Sequence, residues 1–307
     1  MSTARPTPRS RYLALVWIIP VALIVLAAVV VGARAFRFSD AGVAFLAAFP
    51  GASAPAPGTP VGFPAWLAWQ HFFNSLLILL IIRTGWAVRT TTRPSAFWTR
   101  NNTGLIRTKG APKRISLNLW FHFTLDALWV LNGIVFYVLI FATGQWLRIV
   151  PTSWDVFPNS VSAALQYASL QWPSENGWVN YNALQLLAYF TTVFIAAPLA
   201  ILTGIRMSAA WPVNATRLNR VYPVTVARTL HLPIMVYFVA FIIVHVTLVL
   251  ATGALRNLNH MYGGSDDVSW VGFIIFAISI VVMVGGWVAA RPLFLRPVAS
   301  LMGKVSR

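Results

Sequence analysis

The sequence predicts an all-α polytopic membrane protein with six transmembrane helices. Three observations carry that prediction. Hydrophobic residues fill 58% of the 307 positions. Charged side chains fill only 9%, where soluble domains carry about 25%. Six stretches reach the ~20 apolar residues that cross a hydrocarbon core as a helix. The chain has no cysteine, which removes disulfides, thiolate zinc sites, cysteine-bound iron–sulfur clusters and covalent c-type haem attachment.

The first stretch, "YLALVWIIPVALIVLAAVVVGA" (12–33), exceeds the apolar core of about 7–15 residues in a cleaved signal peptide, so a retained helix is expected. The second is "WLAWQHFFNSLLILLIIRTGWAV" (66–88) and the third "LWFHFTLDALWVLNGIVFYVLIFATG" (119–144). The fourth, "LQLLAYFTTVFIAAPLAILTGI" (184–205), precedes a fifth over 228–252 and a sixth, "SWVGFIIFAISIVVMVGGWVAA" (269–290). Pro20, Pro198 and Pro233 fall inside spans, which bilayer helices tolerate when neighbours satisfy the freed carbonyls. No internal repeat is evident, and the connections look too short for a separate soluble domain.

A net charge of +17 would suggest nucleic acid in a soluble protein. Here the cations sort by connection instead, and no nucleic-acid partner is expected. One face collects Arg5, Arg9 and Arg11 from the N-terminal tail, and Arg83, Arg89, Arg93, Arg100, Arg107, Lys109, Lys113 and Arg114 from the 83–114 region. The same face takes Arg206, Arg217, Arg220 and Arg228, then Arg291, Arg296, Lys304 and Arg307, with no acid. The other keeps Arg34, Arg37, Arg148 and Arg256 beside Asp40, Asp155, Glu175, Asp266 and Asp267. The positive-inside rule then puts both termini in the cytoplasm.

Four of the five histidines lie in spans: His71, His122, His231 and His245. The fourteen positions from His231 to His245 turn through about 1400°, close to four full turns, and rise ~21 Å. Both imidazoles therefore look out on nearly one side of the fifth span, near opposite membrane faces. Tracing span direction pairs His71 with His245 at the outer end and His122 with His231 at the inner end. Two b-type haems, each held by two imidazoles, explain that arrangement. A lone membrane histidine would be read as a hydrogen-bonded packing residue, and a proton relay is the other use of such groups. Gly85 lies fourteen residues after His71, on the same face at the inner depth. A missing side chain there admits a macrocycle edge, or simply lets helices pack closely. Asp126, one turn beyond His122, could orient the imidazole or make a polar contact between helices.

These histidines resemble the ligand set of di-haem cytochrome b subunits of bacterial respiratory enzymes, above all the gamma subunit of membrane-bound formate dehydrogenase. The b-type cytochrome subunit of nickel–iron hydrogenase is a relative. The family places one ligand on each of two successive helices, none on the next and two on the fourth at this spacing. His71, His122, His231 and His245 match that order. The resemblance implies a four-helix di-haem core over 66–255. Before it come a tail, an extra helix and an outer loop (1–65), and after it a loop, a sixth helix and a basic tail (256–307).

It also implies two haem b cofactors, a bacterial cytoplasmic (inner) membrane location and electron transfer between quinone and a redox partner subunit. That partner would be an iron–sulfur or molybdenum enzyme. "NYNALQLLAYF" (180–190) resembles the family's quinone-pocket stretch, making Asn182 and Gln185 candidate donors to a quinone or quinol near the His71/His245 haem. On residue type alone, asparagine there is also an ordinary helix cap. The extra N-terminal helix reverses the core relative to the formate enzyme, leaving the docking face open. Residues 144–183 would make an extracytoplasmic docking lid. His260 is expected as a surface loop histidine or a proton-transfer group. Two other function classes fit the same residues: a transporter or proton channel using the histidines and Asp126, and a stand-alone quinone-linked oxidoreductase.

Overall fold

The computed structural model describes residues 8–103, 111–172, 176–212 and 214–307, with side chains from residue 16 onward. Of the charges used for topology, Arg5, Arg107, Lys109 and Glu175 lie outside the described residues, as do the side chains of Arg9 and Arg11.

The described chain is nearly all helical. In order it forms α1 (Pro8–Arg37), α2 (Asp40–Ala48), α3 (Ala65–Thr90), α4 (Leu117–Ala142), α5 (Val156–Ala168) and α6 (Ala183–Phe190). A π-helical segment, Thr191–Ala196, runs from α6 into α7 (Ala197–Met207). There follow α8 (Thr216–Val221), α9 (Val224–Ala251), α10 (Ala254–Leu258), a second π segment (Asn259–Gly263), α11 (Val271–Ala289) and α12 (Pro292–Ser300). Six helices are long and apolar enough to cross a membrane: Val16–Arg37, Ala65–Thr90, Leu117–Ala142, Ala183–Met207, Val224–Ala251 and Val271–Ala289. The protein is thus a multi-pass membrane protein, and each span agrees with its expected limits to within about four residues.

Two compact units divide the chain. The larger comprises Pro60–Trp146 and Thr191–Arg307. At its centre α3 packs two ways. Leu77 and Leu80 meet Leu125 of α4, while Ile78 meets Ala196 and Phe238 of α9. Small residues at the second crossing, Ala196, Ala197 and Ala200, let backbones approach where no hydrophobic driving force separates protein from lipid. Gly286 of α11 does the same against Leu76 of α3.

Pro198 explains the first π segment. Proline has no N–H and crowds the preceding turn, so the helix widens there. In a π ladder the carbonyl of Val193 would accept from residue 198. It accepts the Tyr137 hydroxyl instead, at 2.6 Å, and Thr192 pairs with Tyr237 at 2.8 Å.

A small three-stranded antiparallel sheet caps one end of this unit, and the sequence pattern does not announce it. Its strands are β1 (Phe97–Arg100), β2 (Arg114–Ser116) and β3 (Gly303–Ser306), in the order β2-β1-β3. Trp98 donates to the Ala299 carbonyl at 3.0 Å. Ala96, Leu117, Trp120, Leu295 and Ala299 bury a common apolar patch beneath. The C-terminal tail therefore lies at the same end as the α3–α4 connection, as the four crossings between them require. This is called the sheet end below.

The smaller unit comprises Met1–Thr59 and Leu147–Phe190. Its connecting region is not bare loop: α5 is amphipathic and buries Val156, Asn159, Ala163 and Gln166. Asn159 accepts from the Gly51 N–H at 2.9 Å, and Gln166 donates to the Pro50 carbonyl at 2.9 Å. Buried Arg148 donates to the carbonyls of Gly177 and Trp178 at 2.6 and 2.9 Å, and its guanidinium lies 5.2 Å from the Tyr181 ring centre.

Candidate functional site

All four span histidines belong to the larger unit, and they stand in two pairs. His122 of α4 and His231 of α9 have ring centres 6.5 Å apart with planes at 84°. His71 of α3 and His245 of α9 have ring centres 6.3 Å apart with planes at 53°. The first pair lies toward the sheet end, the second toward the far end. Among the described residues no group of three or more metal-ligating side chains comes together. The candidate ligands come in twos.

A threonine hydroxyl faces one nitrogen of each sheet-end ring. Thr84 Oγ1 lies 2.9 Å from His122 Nδ1, and Thr203 Oγ1 lies 2.8 Å from His231 Nδ1. Each hydroxyl already donates its one hydrogen to its own helix, Thr84 to the Leu80 carbonyl at 2.9 Å and Thr203 to the Leu199 carbonyl at 2.7 Å. A hydroxyl so committed can only accept. With the hydroxyl back-bonded in this way, the matching imidazole tautomer has its proton on Nδ1 and a lone pair on Nε2.

His71 is held through a longer relay. Its Nδ1 lies 3.2 Å from the Tyr262 hydroxyl, which is hydrogen-bonded to Ser279. Ser279 donates in turn to the Phe276 carbonyl at 2.7 Å. Phe241 stacks on His245, centres 5.5 Å apart and planes within 5°.

Glycine completes the sheet-end pair. A Cβ on Gly85 would come within 3.2 Å of His122 Cε1, and one on Gly204 within 3.9 Å of His231 Cε1. Each sheet-end imidazole thus rests against a Thr-Gly dipeptide of the membrane span before its own: Thr84-Gly85 for His122, Thr203-Gly204 for His231. Gly85 has the His122 ring as its neighbour.

Asp126 approaches His122 Nε2 only to 3.7 Å, beyond hydrogen-bond length. Orientation of His122 falls to Thr84, which sequence inspection passes over.

Asn182 and Gln185 sit in the smaller unit and hold each other. Asn182 Oδ1 accepts from the Gln185 N–H at 2.8 Å, and Gln185 Oε1 accepts from the Asn182 N–H at 3.2 Å. This is a reciprocal capping box at the start of α6. The Asn182 amide also donates to the Tyr167 hydroxyl at 2.9 Å.

His260 is not a surface loop residue. It is 4% exposed, lies in the π segment Asn259–Gly263 and stacks on Phe63. Its Nε2 is 2.6 Å from Asp266 Oδ1, which also accepts from Arg256 at 2.9 Å. The fold buries it because Asn259 ties the whole turn down. The Asn259 amide donates to the carbonyls of Ser265 and Asp267 at 3.3 and 2.9 Å, and its oxygen accepts from Ser269 and the Gly272 N–H at 2.9 and 3.2 Å. Gly272 abuts this turn so closely that no Cβ fits.

The chain matches no protein-family model, no curated protein and no solved structure.

Proposed function

We propose that this chain is the electron-transfer subunit of a membrane-bound, quinone-linked oxidoreductase, holding one b-type haem between His122 and His231 and another between His71 and His245. Ring spacing is the observation that supports it most. Two imidazoles that would hold one metal ion between them must stand a single ion's width apart. The two pairs measure 6.3 and 6.5 Å.

Donor chemistry agrees with that spacing. A ligating imidazole needs its second nitrogen protonated and held by an outer acceptor, which Thr84, Thr203 and Tyr262 supply. Two protein donors are what a porphyrin-bound iron leaves to be filled. When bound, haem iron supplies reversible one-electron chemistry. The chain's own residues orient the imidazoles, raise their basicity and space the two sites by ~21 Å along α9.

Quinone as one redox partner, with Asn182 and Gln185 beside it, rests on the family resemblance. So do a partner iron–sulfur or molybdenum subunit and a bacterial inner-membrane location. The cation-rich sheet end would face the cytoplasm, with both termini, under the positive-inside rule.

The test is a reduced-minus-oxidised spectrum and a haem assay on the purified protein. Two b-type haems per chain are expected. A preparation with intact helix content and no b-type band overturns the proposal.

A further inference from the structure

Arg83 is a cation inside a span. It lies seven residues before the end of α3, ~10 Å from the sheet-end tip of that helix. Its Nη1 donates to the Ala290 carbonyl at 2.6 Å, and its guanidinium sits 5.0 Å from the centre of the Trp287 ring. No carboxylate answers it: among the described residues the ion pairs involve only Asp126 and Asp266. The Ala290 contact also brings it to the end of α11, where exposed Arg291 follows directly. Arg291 is near enough for its charge to act on Arg83, so two cations share this end of the cleft with no acid paired to Arg83 among the described residues.

Beside Arg83 opens a cleft of about 380 Å³, lined by Ile82 and Trp86 of α3, Met235, Val236 and Val239 of α9, and Trp287 of α11. Every wall is apolar except the Arg83 head. Met235 to Val239 carries the wall onward from the sheet end toward the middle of the span, since α9 begins at Val224. Trp86 and Trp287 are 57% and 41% exposed, with amphipathic rings suited to the headgroup boundary. A cationic mouth at interface depth over a hydrocarbon-lined trough describes the complement of one lipid molecule.

We infer that this cleft is a binding site for one anionic phospholipid of the sheet-end leaflet, its phosphate against Arg83 and Arg291 and an acyl chain along Met235, Val236 and Val239. Arginine suits the first task because its planar fork bonds two phosphate oxygens at once. Charge gives the selectivity. A zwitterionic lipid brings its own ammonium to a place that already holds two cations, whereas phosphatidylglycerol brings a net negative charge. This site is independent of the haem proposal and needs no redox cofactor.

The experiment is native mass spectrometry and thermal unfolding of the full chain in neutral detergent, titrated with dioleoylphosphatidylglycerol or dioleoylphosphatidylcholine. One phosphatidylglycerol should remain bound per chain at concentrations where phosphatidylcholine has left, with at least a fivefold preference. Arg83→Gln with Arg291→Gln should erase that preference, while Arg217→Gln with Arg220→Gln on another connection leaves it intact. If the double variant fails to fold, Met235→Trp fills the trough while both cations stay, and should lower phosphatidylglycerol retention several-fold. Equal retention of both lipids by the wild type overturns the inference. So does unchanged preference in both the Arg83/Arg291 and the Met235 variants.

Discussion

The sheet-end and far-end histidine pairs share a spacing but differ in what holds them. At the sheet end both imidazoles meet the same support, a Thr hydroxyl on Nδ1 and a glycine under the ring, supplied by α3 for His122 and by α7 for His231. Two antiparallel hairpins thus contribute equivalent halves. At the far end His71 meets a tyrosine from outside the spans, itself held by Ser279 of α11. The contrast shows that one pair is built from the helix hairpins alone, while the other depends on the turn after α9 and on the sixth span.

The largest effect should come from the histidines themselves. His231→Ala and His245→Ala lie on one helix but in different pairs, so each should remove one haem and leave the other, halving the haem per chain. A pyridine haemochrome assay checks this. Loss of both haems from either single variant would break the idea of two separate sites.

Glycine substitutions come next and sharpen the comparison within the sheet end. A Cβ at Gly85 already presses on His122 at 3.2 Å, whereas one at Gly204 makes ordinary contact at 3.9 Å. Gly85→Leu should therefore expel or distort the sheet-end haem, since overpacking typically costs about 1–3 kcal/mol. Gly204→Ala should leave the spectrum unchanged. Equal tolerance at both positions would show that the ring is not seated on α3.

Threonine should have a smaller, more selective effect. Thr84→Val leaves the His122 Nδ1–H buried without an acceptor, and a hydrogen bond of this kind contributes about 0.5–1.5 kcal/mol. Lost basicity favours the reduced metal. The sheet-end midpoint potential should rise on the order of 20–60 mV, on a scale of 59 mV per tenfold change for one electron. The far-end potential should stay where it is. Thr84→Ser, which keeps the hydroxyl, should restore the original value, and Thr203→Val should behave like Thr84→Val. A shift at both sites would mean that Thr84 acts through general packing.

Six spans were legible because apolar length is a local property, and His71, His122, His231 and His245 could be paired because helix rise converts spacing into depth. The neighbours predicted from depth are neighbours in space. Thr84 and Thr203 escaped notice because a threonine in a span reads as an ordinary back-bonded residue. Only the repeated Thr-Gly at 84–85 and 203–204 hints otherwise. Tyr262 and His260 were hidden for a different reason. Their burial is set by Asn259, whose four hydrogen bonds close a turn that composition presents as a polar loop. The sheet joins strands of three or four residues from opposite halves of the chain, below the length at which alternation becomes a signal.

Tyr262 should give the smallest shift and separates the two ends most directly. Its contact with His71 is 3.2 Å, against 2.8–2.9 Å for the two threonines, and a longer bond polarises the imidazole less. Tyr262→Phe should therefore raise the far-end potential by less than Thr84→Val raises the sheet-end one. Burial pushes the Tyr262 hydroxyl above the ordinary tyrosine range. The hydroxyl thus stays protonated from pH 6 to 9, and the far-end shift caused by Tyr262→Phe should be constant across that window. The same displacement has a sign for stability. Below about pH 10 the group is protonated in folded and unfolded chains alike. Above it the unfolded chain releases a proton that the fold still holds, so the wild type loses stability as pH rises. Tyr262→Phe removes that contribution, and its unfolding temperature should fall less steeply than the wild type's above pH 10. An equally steep fall in both would show that the Tyr262 hydroxyl is not held in this relay.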